Sequence, residues 1–210
     1  MTKNFLHVGS GKLTKANTTD VFNSDDWDEV RLDIDEGVNP DVIASLTDMS
    51  VIKNNSYDAV YSHHNIEHLY AYQVPIALNE MSRVLNDDGF LIISCPDLTS
   101  VCAKVAEGNN DSLVQTLYVS GMGPITPLDI LYGLRSSLEQ GNHFMAHNVG
   151  FTKEVLQSTI LNSGFGSCLV VQWPQTYVLW GIAYKKNNIS QEKLIENLKL
   201  HTKHTPLRWS

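Results

Sequence analysis

Histidines gather in two stretches of this chain, His63, His64 and His68 in the first and His143 and His147 in the second. An imidazole exchanges a proton near neutral pH and is also a common metal ligand. His64-Asn65-Ile66-Glu67-His68 spells H-x-x-E-H, which inside a long helix would be an inverted zinc-peptidase motif. Here it directly follows a strand pattern, so the context a peptidase needs is missing. Two uses remain open. One of His64, His143 or His147 could act as a general base or orient a nucleophile. Alternatively, His64, Glu67, His68 and a histidine of the second stretch could hold a divalent ion. The base reading is placed first and no metal is assigned. For any single histidine, a capping or packing hydrogen bond is the competing use.

Chemistry of another kind is offered by Gly9-Ser10-Gly11, which follows the apolar run Phe5-Leu6-His7-Val8. Two glycines at this spacing allow a tight turn and let a ligand approach the backbone closely. The next strand, Glu29-Val30-Arg31-Leu32-Asp33-Ile34-Asp35, ends in carboxylates. An acidic side chain about 20 residues beyond such a turn can grip a ribose diol. Asp33 is the first choice and Asp35 the second.

The elements that must position these groups follow from periodicity. Residues 39–44 hold a short third strand, and residues 56–62 form a fourth with the nearly continuous apolar run of a doubly covered parallel strand. Residues 74–85 fit an amphipathic helix, 86–89 a turn, and 90–95 a fifth strand. Strands alternating with helical crossovers predict an α/β sheet with right-handed connections. The first crossover is irregular: residues 12–24 are rich in poor helix formers and predict at most a short helix. Residues 97–150 interrupt the rhythm as an insertion, with helices expected at 100–106, 111–119 and 127–139, where Tyr132 is a further candidate for the base, although Leu-Tyr in an amphipathic helix is usually core. Thr152 caps a helix running to Leu161. Residues 166–171 and 177–184 are joined by a link too short for a crossover, which predicts an antiparallel hairpin. A terminal helix spans about 190–200, and 201–210 reads as a surface tail.

The chain has 210 residues, a formal net charge of −8 and 42% hydrophobic residues. That is enough for one sizeable core, and a single domain over 1–210 is expected, with 97–150 as a lid-like insertion and 186–210 as C-terminal helix and tail. No Lys/Arg cluster precedes the C-terminal end, which argues against a nucleic-acid groove. No run of about 18 apolar residues suggests a membrane span, and the N-terminus lacks the apolar stretch of a signal peptide. Cys95, Cys102 and Cys168 are widely spaced and odd in number, which fits reduced thiols in the cytoplasm.

The order of these parts resembles a class I S-adenosylmethionine-dependent methyltransferase from about residue 5 to residue 185. Leu6-His7-Val8-Gly9-Ser10-Gly11 resembles the family's glycine motif, and Arg31-Leu32-Asp33-Ile34-Asp35 its ribose-gripping strand end. Leu46-Thr47-Asp48-Met49 resembles the adenine-lining segment. The most specific pieces are residues 57–69, through Ser62-His63-His64-Asn65-Ile66-Glu67-His68, and residues 80–94. The resemblance implies a Rossmann-like, mostly parallel seven-stranded sheet with an antiparallel C-terminal hairpin and a helical insertion after strand five. It implies S-adenosyl-L-methionine as cofactor, held by His7, Gly9, Ser10 and Gly11, by Asp33 and Ile34, by Asp48 and Met49, and by Ser62 and His63. Methyl transfer to a small-molecule or glycan-type acceptor follows, without nucleic acid or membrane and with a homodimer allowed.

Three features depart from the family pattern. His7 stands where a carboxylate is usual, Lys12-Leu13 where a third glycine is common, and the helix after the glycine turn is shortened. The alternatives are a scaffold that binds the cofactor without catalysis, and an NAD(P)-dependent oxidoreductase. The latter would prefer glycine where Thr14 stands.

Overall fold

The structure is a computed structural model describing residues 2–108, 112–173 and 176–203. Its centre is a sheet of seven strands: β1 (Lys3–Val8), β2 (Trp27–Asp33), β3 (Val42–Ile43), β4 (Tyr57–His63), β5 (Leu85–Pro96), β8 (Ser167–Trp173) and β9 (Val178–Tyr184). Their spatial order is β3-β2-β1-β4-β5-β9-β8. β9 runs antiparallel to both of its neighbours, and the remaining pairings are parallel. The predicted sheet and hairpin are both present.

β1 and β4 are buried on both faces, because each alternates between two separate cores. One core combines Leu6, Val8, Val60 and Ile93 with α1 (Val74–Val84) and α5 (Lys153–Leu161). The opposite core is aromatic, with Phe5, Phe22, Trp27, Tyr61 and Trp180 beneath Leu194 and Leu198 of α6 (Gln191–Thr202). The irregular first crossover belongs to this aromatic side. It forms a short 3-10 turn at Lys15–Asn17, and Phe22 plugs the sheet where a helix would lie, stacked at 4.4 Å on Phe5.

Several expectations are corrected. The helix extends through Thr202, and His201 is only 5% exposed rather than part of a surface tail. Its Nδ1 lies 2.9 Å from Thr19 Oγ1, and its ring packs 4.7 Å from Phe22. The rest of the expected tail, 204–210, lies outside the described residues. Residues 86–89 do not end the helix in a free turn. They bulge within β5, since Leu85 pairs with Tyr57 while Phe90 already pairs with Ala59.

The insertion is not wholly helical. The expected helix over 111–119 is replaced by β6 (Tyr118–Ser120), hairpinned to β7 (Gly123–Ile125), its first residue lying outside the described set. The helix over 127–139 is broken into α3 (Pro127–Tyr132) and α4 (Arg135–Glu139). Gly133 between them has φ 100°, and a Cβ there would stand 2.0 Å from the Met145 carbonyl oxygen, so the chain must turn away. Tyr132 is 63% exposed instead of core. Only the helix that follows β5, α2 (Leu98–Glu107), matches its expected form, capped by the buried Asp97.

Candidate cofactor and acceptor site

At the end of β1 the backbone turns left-handed twice, at Gly9 (φ 59°) and Gly11 (φ 53°). Only glycine adopts these angles without strain. A side chain on Gly9 would also strike Asn65, whose Nδ2 lies 2.1 Å from the Cβ position. At Gly11 the corresponding space is open. The turn is tied to β2 from both ends. Ser10 N–H donates to Leu32 C=O (3.2 Å), and Gly11 N–H donates to Asp33 Oδ2 (2.7 Å). Asp33 Oδ1 accepts from Asp35 N–H (2.9 Å). Arg31 closes the rim, donating to the carbonyls of Gly11 (2.6 Å) and Val38 (3.2 Å). Ile34 is 52% exposed beside it.

His7 faces the aromatic core, 3% exposed, with Nδ1 2.7 Å from Glu29 Oε1. The other oxygen of Glu29 accepts Lys15 N–H at 2.7 Å. A carboxylate therefore does support the loop after the glycines, but it comes from β2, and His7 positions it.

Farther along the same edge, Met49 is fully buried and its N–H donates to Glu80 Oε2 (2.7 Å). Arg83 grips Glu80 and donates to the carbonyls of Met49 and Ile52. Asp48 is exposed, and its carboxyl is held below the ordinary value mainly by hydrogen bonds from Ser50.

β4 delivers the next group. Ser62 is fully buried, and its Oγ has no hydrogen-bond partner among the described residues; the Asn65 Nδ2 over Gly9 is likewise buried without one. His63 points to the aromatic face, 5.4 Å from the Trp180 ring and hydrogen-bonded through Nδ1 to Ser94 Oγ. Burial, reinforced by His64 and His7, pushes its pKa well below the usual imidazole value, so it is neutral.

His64 then takes a left-handed conformation (φ 49°), turning the chain into a 3-10 turn at Ile66–His68 rather than directly into α1. Its Nδ1 lies 3.1 Å from Oε1 of Glu67, which is 1% exposed. Burial pushes the Glu67 carboxyl up. The hydrogen bond with His64 and the fields of His64, His68 and His147 outweigh it, so Glu67 sits below its ordinary value and is ionised.

The end of the insertion is strapped across this turn. Asn148 and Val149 N–H groups donate to Glu67 C=O (2.8 and 3.3 Å), and Asn148 Nδ2 donates to His68 C=O (2.8 Å). The strap brings His147 to within 5.0 Å of the His68 ring. Thus His64, His68 and His147 meet around Glu67. His143 does not join them; it is exposed at the start of a short turn, His143–Met145. Asn65 and Glu29 were not singled out by sequence reasoning. Position 65 had one usable signal, its place just past a strand end that neighbours the glycine turn.

Residues 6–93 match the family described as methyltransferase domain. No curated protein matches the sequence. Among solved structures, the PH0226 protein of Pyrococcus horikoshii superposes with a TM-score of 0.57 at 15% identity, over 89% of this chain and 83% of that one. The 1,6-didemethyltoxoflavin-N1-methyltransferase of Burkholderia thailandensis, solved with 1,6-didemethyltoxoflavin and S-adenosylhomocysteine, gives 0.52 at 13% identity over 87% and 70%. A S-adenosylmethionine-dependent methyltransferase of Thermotoga maritima, described as a possible histamine N-methyltransferase, gives 0.51 at 13% over 89% and 83%. At these identities the neighbours establish a shared sheet. The methyltransferase-domain match runs over the same sheet from β1 into β5, so the chain is similar to that family over residues 6–93.

Proposed function

We propose that this protein is an S-adenosylmethionine-dependent methyltransferase acting on a small-molecule acceptor. The observation that carries the reading is the pair of left-handed glycines, the second of which donates its N–H to the Asp33 carboxylate, within a stretch that matches a methyltransferase domain. S-adenosylmethionine supplies a sulfonium-bound methyl group for in-line displacement. The task of the protein is then mostly to position the two reactants.

The residues at hand fit that cofactor. A carboxylate offers about four lone-pair sites. Asp33 uses one on each oxygen, for Gly11 N–H and Asp35 N–H, which leaves one on each for a ribose diol. Open space at Gly11 lets a ligand lie against the backbone. The unpartnered Asn65 Nδ2 and Ser62 Oγ are a donor and a hydroxyl suited to the polar end of an amino acid. His7, through Glu29, fixes the loop; Met49, held by Glu80, supports the adenine side, with Asp48 and Ile34 on the rim.

On the acceptor side we assign His64 as the base. The Glu67 carboxylate at its Nδ1 favours the tautomer with the proton on Nδ1, so that Nε2 carries the lone pair. Glu67 thus orients the imidazole and would stabilise its protonated form, as a buried carboxylate does in a catalytic triad. His147 stands on the same side, whereas the exposed His143 would act only at the mouth. The unpaired cysteines Cys95, Cys102 and Cys168 support a cytoplasmic setting. Among the described residues, no helix is long and apolar enough to cross a membrane.

The test is turnover of a methyl-labelled cofactor against a panel of hydroxyl and amine acceptors. His64→Ala should lower the rate about 10²–10⁴-fold while cofactor affinity stays within about twofold. A rate loss that merely follows thermal destabilisation would remove His64 from the chemistry.

A further inference from the structure

We infer that Glu67, His68 and His147 form a binding site for a first-row divalent metal ion. One metal-binding atom from each of the three residues lies within 4.8 Å of the others. The two histidines are anchored in the same way. His68 Nδ1 lies 3.1 Å from Ala146 C=O, and His147 Nδ1 lies 2.8 Å from Ile130 C=O. A carbonyl oxygen can only accept, so each Nδ1 carries the proton and each Nε2 carries a lone pair. Metal-binding histidines are commonly held in this manner, by a backbone carbonyl at the other ring nitrogen.

Glu67 divides its two oxygens. Oε1 meets His64, while Oε2 is buried and has no hydrogen-bond partner among the described residues. A buried carboxylate oxygen left without a partner is costly unless a cation or a donor stands beside it. Glu67 and His147 also border a cavity of about 20 Å³, otherwise lined by apolar groups and not by His68, which leaves room for one water-sized occupant beside two of the three ligands. A tetrahedral ion at about 2.0–2.2 Å from its ligands spaces them roughly 3.4 Å apart. The 4.8 Å limit therefore calls for a modest tightening, which the half-buried side chains of His68 and His147 can supply.

Two imidazoles and one carboxylate suit zinc, cobalt, nickel or ferrous iron better than magnesium or calcium, which prefer all-oxygen sites. Three protein ligands leave at least one position open. That an acceptor heteroatom takes the open position, next to His64, rests on the methyltransferase reading; the ion site itself does not.

The full chain, stripped with a chelator, should be titrated with Co²⁺ by visible absorption and with Zn²⁺ by calorimetry. The expected result is one equivalent bound with micromolar or tighter affinity, and no binding of Mg²⁺ or Ca²⁺ at the same concentrations. Glu67→Gln and His147→Ala should each weaken Zn²⁺ at least about 100-fold, beyond the 10–100-fold typical of losing an outer partner. Cys102→Ser, which removes an exposed thiol, should change nothing. If either ligand variant fails to fold by circular dichroism, wild-type ¹⁵N spectra replace it: Zn²⁺ should shift Nε2 of His68 and His147 but not of His143. Absence of stoichiometric binding overturns the site. So does binding that survives both substitutions, or shifts centred on His143. Loss of the ion site with retained S-adenosylmethionine binding refutes this inference alone. Ion binding without cofactor binding refutes the methyltransferase reading and leaves the site standing.

Discussion

Lowering the pH should weaken the junction between the two ends of the chain, and His201 sets by how much. It is 5% exposed, with its ring packed near Phe22 and Phe90 and its Nδ1 beside Thr19 Oγ1, so a charge there is cut off from water. Burial lowers its pKa from 6.5 to about 4. The unfolded chain then takes up the proton first, so acid favours unfolding. The His201 contribution is intact above pH 6.5 and falls as pH drops towards 4. At roughly 1.36 kcal/mol per pH unit, the loss relative to pH 7.5 comes to about 2 kcal/mol at pH 5 and about 3 kcal/mol at pH 4. Urea unfolding of the wild type and of His201→Asn, across that range, isolates this residue. Asparagine keeps a polar partner for Thr19 but does not titrate. Carboxylates and the other histidines contribute to both proteins, so their effects cancel in the difference wherever sites are independent. The variant should start less stable at pH 7.5 and gain on the wild type by about 2 kcal/mol at pH 5. A difference that stays flat with pH would mean that His201 protonates freely in the folded state. The seal of α6 over the first crossover would then be wrong.

Other consequences follow from the same geometry. Gly9→Ala meets both a left-handed backbone and the Asn65 amide; it should cost about 1–3 kcal/mol by urea unfolding, and adding Asn65→Ala should recover only part, because the backbone strain stays. Glu80→Ala removes the acceptor of Met49 N–H and should cost about 1–3 kcal/mol, with cofactor affinity falling more than acceptor affinity in the same titrations. Hydrogen exchange should open the insertion, whose small core rests on Val101, Ile125 and Ile130, well before the β5 strand; equal protection of the two would contradict its semi-independent packing.

The sheet was legible because its determinants are local. The apolar runs at 5–8, 56–62 and 90–95, and the short link between the last two strands, each admit one pairing pattern. The glycine turn and Asp33 were legible for the same reason: strand, turn and next strand end lie close in sequence. What escaped depended on distant partners. Nothing around His201 shows that Thr19 and Phe22 wait for it across the fold. Tyr118 sits in a stretch with helical composition, yet it pairs with Ile125 once Gly121 and Gly123 reverse the chain. The break at Gly133 is imposed by the Met145 carbonyl, which arrives from a later turn. The histidine stretches were visible, but not that the strap at 146–149 would carry His147 to Glu67 and leave His143 outside.

The central claim is that the left-handed glycine turn and Asp33 hold S-adenosylmethionine. Calorimetric titration of the purified chain with S-adenosylmethionine, alongside Asp33→Ala and an NADH control, tests it most directly. One equivalent should bind in the micromolar range or tighter, NADH should not bind, and the variant should lose about 1.5–3 kcal/mol, the worth of hydrogen bonds to a charged group. An unchanged dissociation constant in Asp33→Ala, or no heat with S-adenosylmethionine from a folded wild type, would contradict it.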